Sequence, residues 1–318
     1  CLDSVFAHSD LPVTVIVVDD GPDAPSIQQV RAAFPQITIL RNESNLGFSA
    51  SCNRGLQAAD TRYAVLLNDD TRVTAGWLSP MVHAAEEDSH IAVCQPKLLS
   101  ATKPDTFDDG GAAGGYMDQL GYPFCRGRLL FHQERDRGQY NRPISLFWAC
   151  GSAMFIRLAA LNKVGYLDLD YFMHMEEIDL CWRLRDAGYR IMAIPSSTVF
   201  HYSAWSLPPE SFRRVYLKHR NNLAMICINM DLSSLGWVFP LRIPLEAVAA
   251  LSYLAKREWQ HIVAPLAAVL WILVHPFNLW SRRRRSRASA ASTTARNREG
   301  LFRGSILFQY YFKGVRET

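Results

Sequence analysis

Two runs of β-branched and aliphatic residues each end on a pair of carboxylates, and this repeated punctuation constrains the chain more than any other feature. Residues 13–18 (VTVIVV) lead into Asp19-Asp20-Gly21, and residues 63–67 (YAVLL) lead into Asn68-Asp69-Asp70. Two further apolar runs, 37–40 and 91–95, fall between and after them. The intervening stretches 27–34 and 49–59 have helical period, and Thr74 is the expected N-cap of a helix through Ala85. Apolar runs without polar alternation belong to strands covered on both faces, so the pattern predicts an α/β fold around a doubly wound, largely parallel sheet. In such sheets ligands gather outside the carboxyl ends of the strands, where both acidic pairs fall. Each pair alone also suits a turn that closes a strand. Two pairs at one edge repel each other, and a bound cation offsets that repulsion.

The 318 residues, 49% hydrophobic and 20% charged, suffice for a catalytic-sized core with an appendage. The net charge of +4 is unevenly spread. Residues 1–227 hold 21 Lys and Arg against 25 Asp and Glu, a net of −4, while residues 228–318 hold 13 against 5, a net of +8. A nucleic-acid binder would carry its positive charge on the folded body, so no nucleic acid is expected as a partner. A basic tail on an acidic body points instead to an anionic membrane surface. The seven cysteines are scattered with no C-x-x-C pair, which predicts buried reduced thiols of a cytoplasmic protein. The chain opens on Cys1 in what reads as the end of an amphipathic helix, so an N-terminal truncation is expected.

Residues 100–141 lose regular period and become rich in Gly, Asp and Arg, as a functional loop or hairpin excursion does. Regular structure returns at 144–156, in a helix over 176–187 closed by Gly188, and in strands at 191–194 and 198–201. The tail differs in kind. Residues 262–280 are mostly apolar but contain Pro265, His275, Pro276 and Asn278, leaving an uninterrupted stretch of only 262–274. That is short for a bilayer crossing. Arg282, Arg283, Arg284, Arg285 and Arg287 follow, then a Ser/Ala/Thr-rich linker and an aromatic segment at 301–312. Both apolar pieces, with basic flanks, read as interfacial membrane segments. A single span at 262–280 and a helical hairpin packed on the body with solvated arginines are the alternatives. The expected organisation is a catalytic domain over 1–227, an apolar membrane-associating region over 228–280, and a basic flexible linker with an aromatic end over 281–318.

Three further motifs carry chemistry. In residues 42–53 (NESNLGFSASCN), Gly47 enters a helix and lets backbone approach a ligand, with Asn45 and Asn53 as possible donors. In residues 174–185 (HMEEIDLCWRLR), Glu176, Asp179 and Arg183 share one helix face, Asp179 and Arg183 being an i,i+4 ion pair. Glu177 points about 100° away from them and is free for other duty. His201 ends a strand, where an imidazole can complete a metal shell containing aspartate.

Taken in order, VIVVDDGPDAPS at 15–26, NLGFSASCNRGL at 45–56, LLNDDT at 66–71, GSAMFIR at 151–157, VGYLDLDYFMHMEEIDLCWRLRDAGYRI at 164–191, VFH at 199–201 and YLKHRNNL at 216–223 resemble the family 2 inverting glycosyltransferases, especially the bacterial rhamnosyltransferase-like branch. The resemblance covers about residues 1–225. It implies a GT-A, Rossmann-like fold, a doubly wound mixed sheet lacking its first strand, with a basic and apolar helical tail. It implies that Asp19 and Asp20 contact the base and ribose of a nucleotide-diphosphate sugar, with Asn45 and Asn53 lining that site. Asn68-Asp69-Asp70 takes the place of the D-x-D motif, so Asp70 and His201, beside Asn68, would bind Mg²⁺ or Mn²⁺, and Asp69 the ribose or diphosphate. Glu176 and Glu177 stand for the Glu-Asp pair, with Glu177 as base, one methylene longer than the usual Asp. Gly151 and Ser152 would lie near the sugars, and Arg220 and Asn221 near the diphosphate. The Q-x-x-R-W signature of processive synthases is missing, which favours single-sugar addition. The implied reaction is metal-dependent transfer from a dTDP-, UDP- or GDP-sugar, rhamnose among the candidates, to a lipid-linked or glycan acceptor at the cytoplasmic membrane face. A sugar nucleotidyltransferase, or a degenerate nucleotide-sugar-binding or membrane-tethering module, are the alternative readings.

Overall fold

The structure, a computed structural model, describes residues 1–21, 25–202, 211–288, 290 and 299–318. The first half runs α1 (Leu2–His8), β1 (Ile16–Asp19), α2 (Pro25–Ala33), β2 (Thr38–Arg41), α3 (Phe48–Ala58), β3 (Tyr63–Leu67), β4 (Thr71–Val73), α4 (Ser79–Glu87) and β5 (Ile91–Ser100). An excursion of short strands follows: β6 (Gly115–Asp118), β7 (Pro123–Cys125), β8 (Arg128–Leu129) and β9 (His132–Gln133). The chain then returns through β10 (Ile144–Leu146), β11 (Ala153–Arg157), α5 (Leu158–Val164), α6 (Glu176–Asp186), β12 (Arg190–His201) and α7 (Phe212–Asn229). The tail forms α8 (Leu232–Ala255), α9 (Val263–Val274), α10 (Pro276–Ala288), β13 (Leu301–Phe302) and α11 (Ile306–Phe312).

The central sheet is ordered β10-β12-β5-β11-β3, with β4 also paired to β12. The α/β expectation and the mixed sheet implied by the resemblance hold, and only the parallel reading of the apolar runs is corrected. β12 is parallel to β5 and β1 to β2, whereas β11 runs antiparallel to both β3 and β5, and β10 antiparallel to β12. Every residue of β11 is buried and all but the closing Arg157 are apolar, so this antiparallel strand shows no more polar alternation than a parallel one. Two registers of this sheet set the site. Ala153 pairs with Leu67, which puts Ser152 beside Asn68, and His201 pairs with Thr71, which puts the imidazole beside Asp70.

Two other expectations change, and a third is extended. Thr74 caps no helix: its hydroxyl donates to the Thr198 carbonyl at 2.9 Å, and α4 begins later, at Ser79. The segment 100–141 is the expected hairpin excursion, its strands pairing antiparallel in the order β6-β7-β8-β9; what is new is that β13 of the tail adds parallel to β6. The apolar stretch 262–280 is not one rod, since the helices on either side of His275 meet at 77°.

The arginines expected in a flexible basic linker lie in α10 and partly face inward. The Ser/Ala/Thr-rich stretch after them falls mostly outside the described residues. Arg282, 2% exposed, pairs with Asp168 at 2.8 Å and lies over the Tyr171 ring. Arg283 donates to the carbonyls of Cys227 and Met230, and Arg287 pairs with Asp186. Only Arg284 and Arg285 of the cluster are exposed. Removing one partner of a buried pair costs about 3 kcal/mol. Arg282→Leu is therefore expected to lower Tm by roughly 5–10 °C, read by calorimetry on the full chain, whereas Arg284→Leu should leave Tm within about 1 °C.

Candidate active site

His201 stands between two aspartates. Its Nε2 lies 3.0 Å from Asp70 Oδ1 and its Nδ1 lies 3.0 Å from Asp108 Oδ2. Burial opposes a charge on this ring, but the two carboxylates outweigh it and raise the imidazole to about 9; His201 in turn holds Asp70 below its ordinary value. Asp108, 1% exposed, also accepts from the Gly110 amide at 2.7 Å, so it is a fixed acceptor that orients the ring. Asp108 was missed in the sequence because it sits in the aperiodic segment 100–141. Its only signal there is the Asp-Asp-Gly-Gly run.

The donor set fits a hard divalent cation. Two atoms each about 2.1 Å from an octahedral ion and at right angles to it are about 3.0 Å apart, the separation of Asp70 Oδ1 and His201 Nε2. Among the described residues no three His, Cys, Asp or Glu side chains form a cation cage. A cation and a proton compete for the same Nε2 lone pair. Asn68 contributes backbone here, its amide donating to Ser152 and its carbonyl accepting from Thr71, while Asp69 is exposed beside Asp70.

Glu176 and Glu177 open α6, where the helix dipole favours negative charge. Burial wins over it. Glu177 is raised to about 7 by desolvation, and its Oε2 is shielded from solvent with no hydrogen-bond partner. Glu176, 3% exposed, is raised further by burial and by the charge of Glu177. A Cβ built on Gly151 would lie 3.9 Å from the Glu177 Cβ and 3.1 Å from the Phe48 ring, which places this glycine in the wall beside Glu177. The hydroxyl of Ser152 is 3.0 Å from the Cys150 thiol. Burial raises that thiol, with the fields of Glu177 and then Asp108 adding to it, so the two acidic clusters flank one buried cysteine.

The loop that delivers α6 is strained. Phe172, His174 and Met175 all have positive φ (64°, 70° and 76°) without being glycine. Asn221 holds it: its Nδ2 approaches the carbonyls of Tyr171, Met173 and His174 at 3.0, 2.7 and 2.8 Å. Arg220 donates to Asn221 Oδ1 and to the Asp170 carbonyl, and lies over the Trp271 ring of α9. Both side chains are thus engaged with the protein itself, on the loop that leads into α6.

The residues expected around a nucleotide are placed as follows. Both oxygens of Asp20 are engaged, accepting from Asn42 Nδ2 and the Leu46 amide at 2.8 Å and from the Gly47 amide at 2.9 Å. Asp20 thus shapes the loop that carries exposed Asn45. Asp19 accepts from the Gly21 amide and pairs with Arg41 at 3.5 Å. Asn53 turns to backbone: its amide donates to the Leu167 carbonyl at 2.7 Å and accepts from the Leu167 amide at 3.0 Å. Gly47 has φ +87°, and a Cβ there would lie 2.5 Å from the Phe172 ring and 2.7 Å from the Phe172 carbonyl oxygen.

Comparison with known proteins follows the same lines. The profile described as Glycosyl transferase family 2 matches residues 1–165. The chain is 26% identical over 275 residues to the N-acetylglucosaminyl-diphospho-decaprenol L-rhamnosyltransferase of Mycobacterium tuberculosis (strain ATCC 25618 / H37Rv), covering 81% of this chain and 88% of that protein. It is 29% identical over 194 residues to the Pre-mycofactocin glycosyltransferase of the same strain, covering 59% of this chain and 37% of that one. Among solved structures, GalNAc-T7 with UDP, GalNAc and Mn²⁺ superposes with a TM-score of 0.55 at 15% identity, covering 71% of this chain and 44% of that one. That likeness is one of fold, and it bears out the GT-A expectation.

Two outcomes test the geometry. Asn221→Ala removes about 2 kcal/mol of hydrogen bonding, because one amide nitrogen has two protons to share among three carbonyls. It is expected to lower kcat roughly 100-fold with donor KM changed less than about threefold, since it misplaces α6 rather than a donor contact. The second concerns Glu176. The folded chain keeps this proton to higher pH than the unfolded chain does, so it contributes stability at low pH that is lost as pH rises above the ordinary carboxylate range. The Tm of Glu176→Gln minus that of the parent should therefore grow from pH 5 to pH 8, measured by thermal unfolding in matched buffers.

Proposed function

The chain belongs to glycosyl transferase family 2, and from that premise we propose that it adds one sugar to a lipid-linked or glycan acceptor from a nucleotide-diphosphate donor, inverting the anomeric centre with Glu177 as general base. The observation that carries this reading is the Glu177 carboxyl at the start of α6. It is shielded, unpartnered at Oε2, raised to about 7, and beside the small Gly151. A carboxyl with that value changes state near neutral pH, the range in which a base is both unprotonated and strong.

Inversion is a single displacement. The acceptor hydroxyl oxygen bonds to the anomeric carbon, its proton passes to Glu177, and the nucleoside diphosphate leaves from the opposite face. Asp70 and His201 would hold Mg²⁺ or Mn²⁺, with Asp108 fixing the ring; the ion would supply charge neutralisation of the leaving diphosphate. Glu176, kept protonated by burial, spares Glu177 a second charge at its side. The name of the rhamnosyltransferase relative supports rhamnose as the sugar and a polyprenyl-diphosphate-linked acceptor; the carrier is a dTDP, UDP or GDP nucleotide. A lipid-linked acceptor favours work at the cytoplasmic face of the membrane. The exposed Phe308, Tyr311 and Phe312 of α11 support an aromatic contact with that surface. A nucleotidyltransferase gives Glu177 no task, and a tethering module needs no raised base beside a fitted cation site.

The test is Glu177→Gln assayed with a panel of sugar nucleotides and Mn²⁺. A loss of about 10²- to 10⁴-fold in kcat is expected, with donor binding by calorimetry little changed. In the parent, kcat/KM should climb about tenfold per pH unit below about 7 and level off above it, because only the unprotonated carboxylate accepts the proton. Transfer by Glu177→Gln near the parental rate would reject the assignment.

A further inference from the structure

The helix α8 is turned inside out. The stripe Val238, Arg242, Glu246 and Ala250 is buried against the body, so its two charged side chains face inward. The opposite face presents Trp237, Leu241, Val248 and Leu251 to the outside, each at least 45% exposed. A helix at a water surface shows the reverse polarity. Of the 24 large apolar side chains exposed among the described residues, 15 lie between Leu232 and Trp280, far more than scattered surface residues would give.

We infer that α8 and α9 form a monotopic docking face that sinks into the hydrocarbon of one membrane leaflet, with α8 lying in the membrane plane. This rests on the reading of a lipid-linked acceptor for its purpose, but its physical basis is separate from the chemistry of transfer. α8 is long enough to span, yet it is fastened to the body along its length. Arg242 donates to the Leu120 carbonyl at 3.0 Å, to Asn222 Oδ1 at 2.6 Å and to Glu246 Oε1 at 2.8 Å, with its guanidinium 3.8 Å over the Tyr122 ring. Glu246 meets His219 of α7 at 2.5 Å, and His219 reaches the Tyr253 hydroxyl at 3.3 Å. Pulling α8 away to cross a bilayer would strip a buried ion pair of these partners inside hydrocarbon. α9, with 12 residues, is about 18 Å long against a core of about 30 Å, and the chain bends by 77° into α10.

Charge selects a lipid surface over a second copy of the chain. Exposed Lys256 and Arg257 follow α8, and exposed Arg284 and Arg285 lie near the end of α10. Anionic headgroups complement these residues, whereas a second copy brings the same basic groups. Exposed Trp237, Trp259 and Trp280 are of the type that settles at the headgroup boundary.

The full chain is floated with vesicles of phosphatidylcholine alone or mixed with phosphatidylglycerol. Binding to the mixed vesicles is expected to survive high salt, and both chain ends, tagged, should be protease-accessible on the outer face. Trp quenching by brominated lipid should fall in Trp237→Phe. The triple variant Leu241→Asn, Val248→Asn, Leu251→Asn should lose about tenfold in partition per side chain, with transfer to a soluble acceptor analogue unchanged. Flotation of the triple variant like the parent, complete release by salt, tags on opposite faces, or dimerisation through this face without flotation would each overturn the inference. Flotation as expected with no transfer from any donor would leave it standing and remove the proposed function instead.

Discussion

The segment 165–175 is held by every layer of the molecule, and the position of Glu177 depends on it. From α3, Asn53 grips Leu167; from α6, Arg183 donates to the carbonyls of Val164 and Tyr166. From α7, Asn221 gathers the carbonyls of the strained turn, and from α10, Arg282 pairs with Asp168. Each grip satisfies backbone or carboxylate groups that would otherwise be buried without partners. Three non-glycine residues at positive φ persist only because these contacts over-determine them. The strain thus sits where a carboxyl must be kept out of water and aimed.

Much of this was legible in the residues. The run 63–67 is β3 without a residue of error, α6 starts at Glu176 as its acidic first turn suggests, and both acidic strand ends lie where the apolar runs stop. The direction of β11 was not legible, because a strand buried on both faces shows no alternation whichever way it runs. Asn53 and Asn221 both turn to backbone here. An amide that would suit a ligand suits a buried backbone equally, and only the fold decides which is nearer. Asp108 was hidden in the opposite way, in a stretch with no period to mark it. Thr74 had the chemistry of a cap but found a strand carbonyl first.

Charge is allocated in a manner that the net value conceals. The basic tail spends Arg282, Arg283 and Arg287 on the body and leaves Arg284 and Arg285 outside. The long apolar helix keeps Arg242 and Glu246 on the side away from solvent. The acidic body, in turn, burdens one helix start with two carboxyls that burial keeps from ionising readily. Polarity in this protein follows what each surface faces, and in the tail the charged side chains meet protein while the apolar ones are left outside.

Gly47 gives the arrangement a mechanical consequence. The space its missing side chain leaves is filled by the Phe172 ring, and the next amide but one, that of Ser49, donates to the Phe172 carbonyl. The loop shaped by Asp20 and the loop that delivers Glu177 are therefore meshed like two gear teeth. Neither loop can shift far without moving the other, so the start of α3 and the start of α6 behave as one mechanical unit.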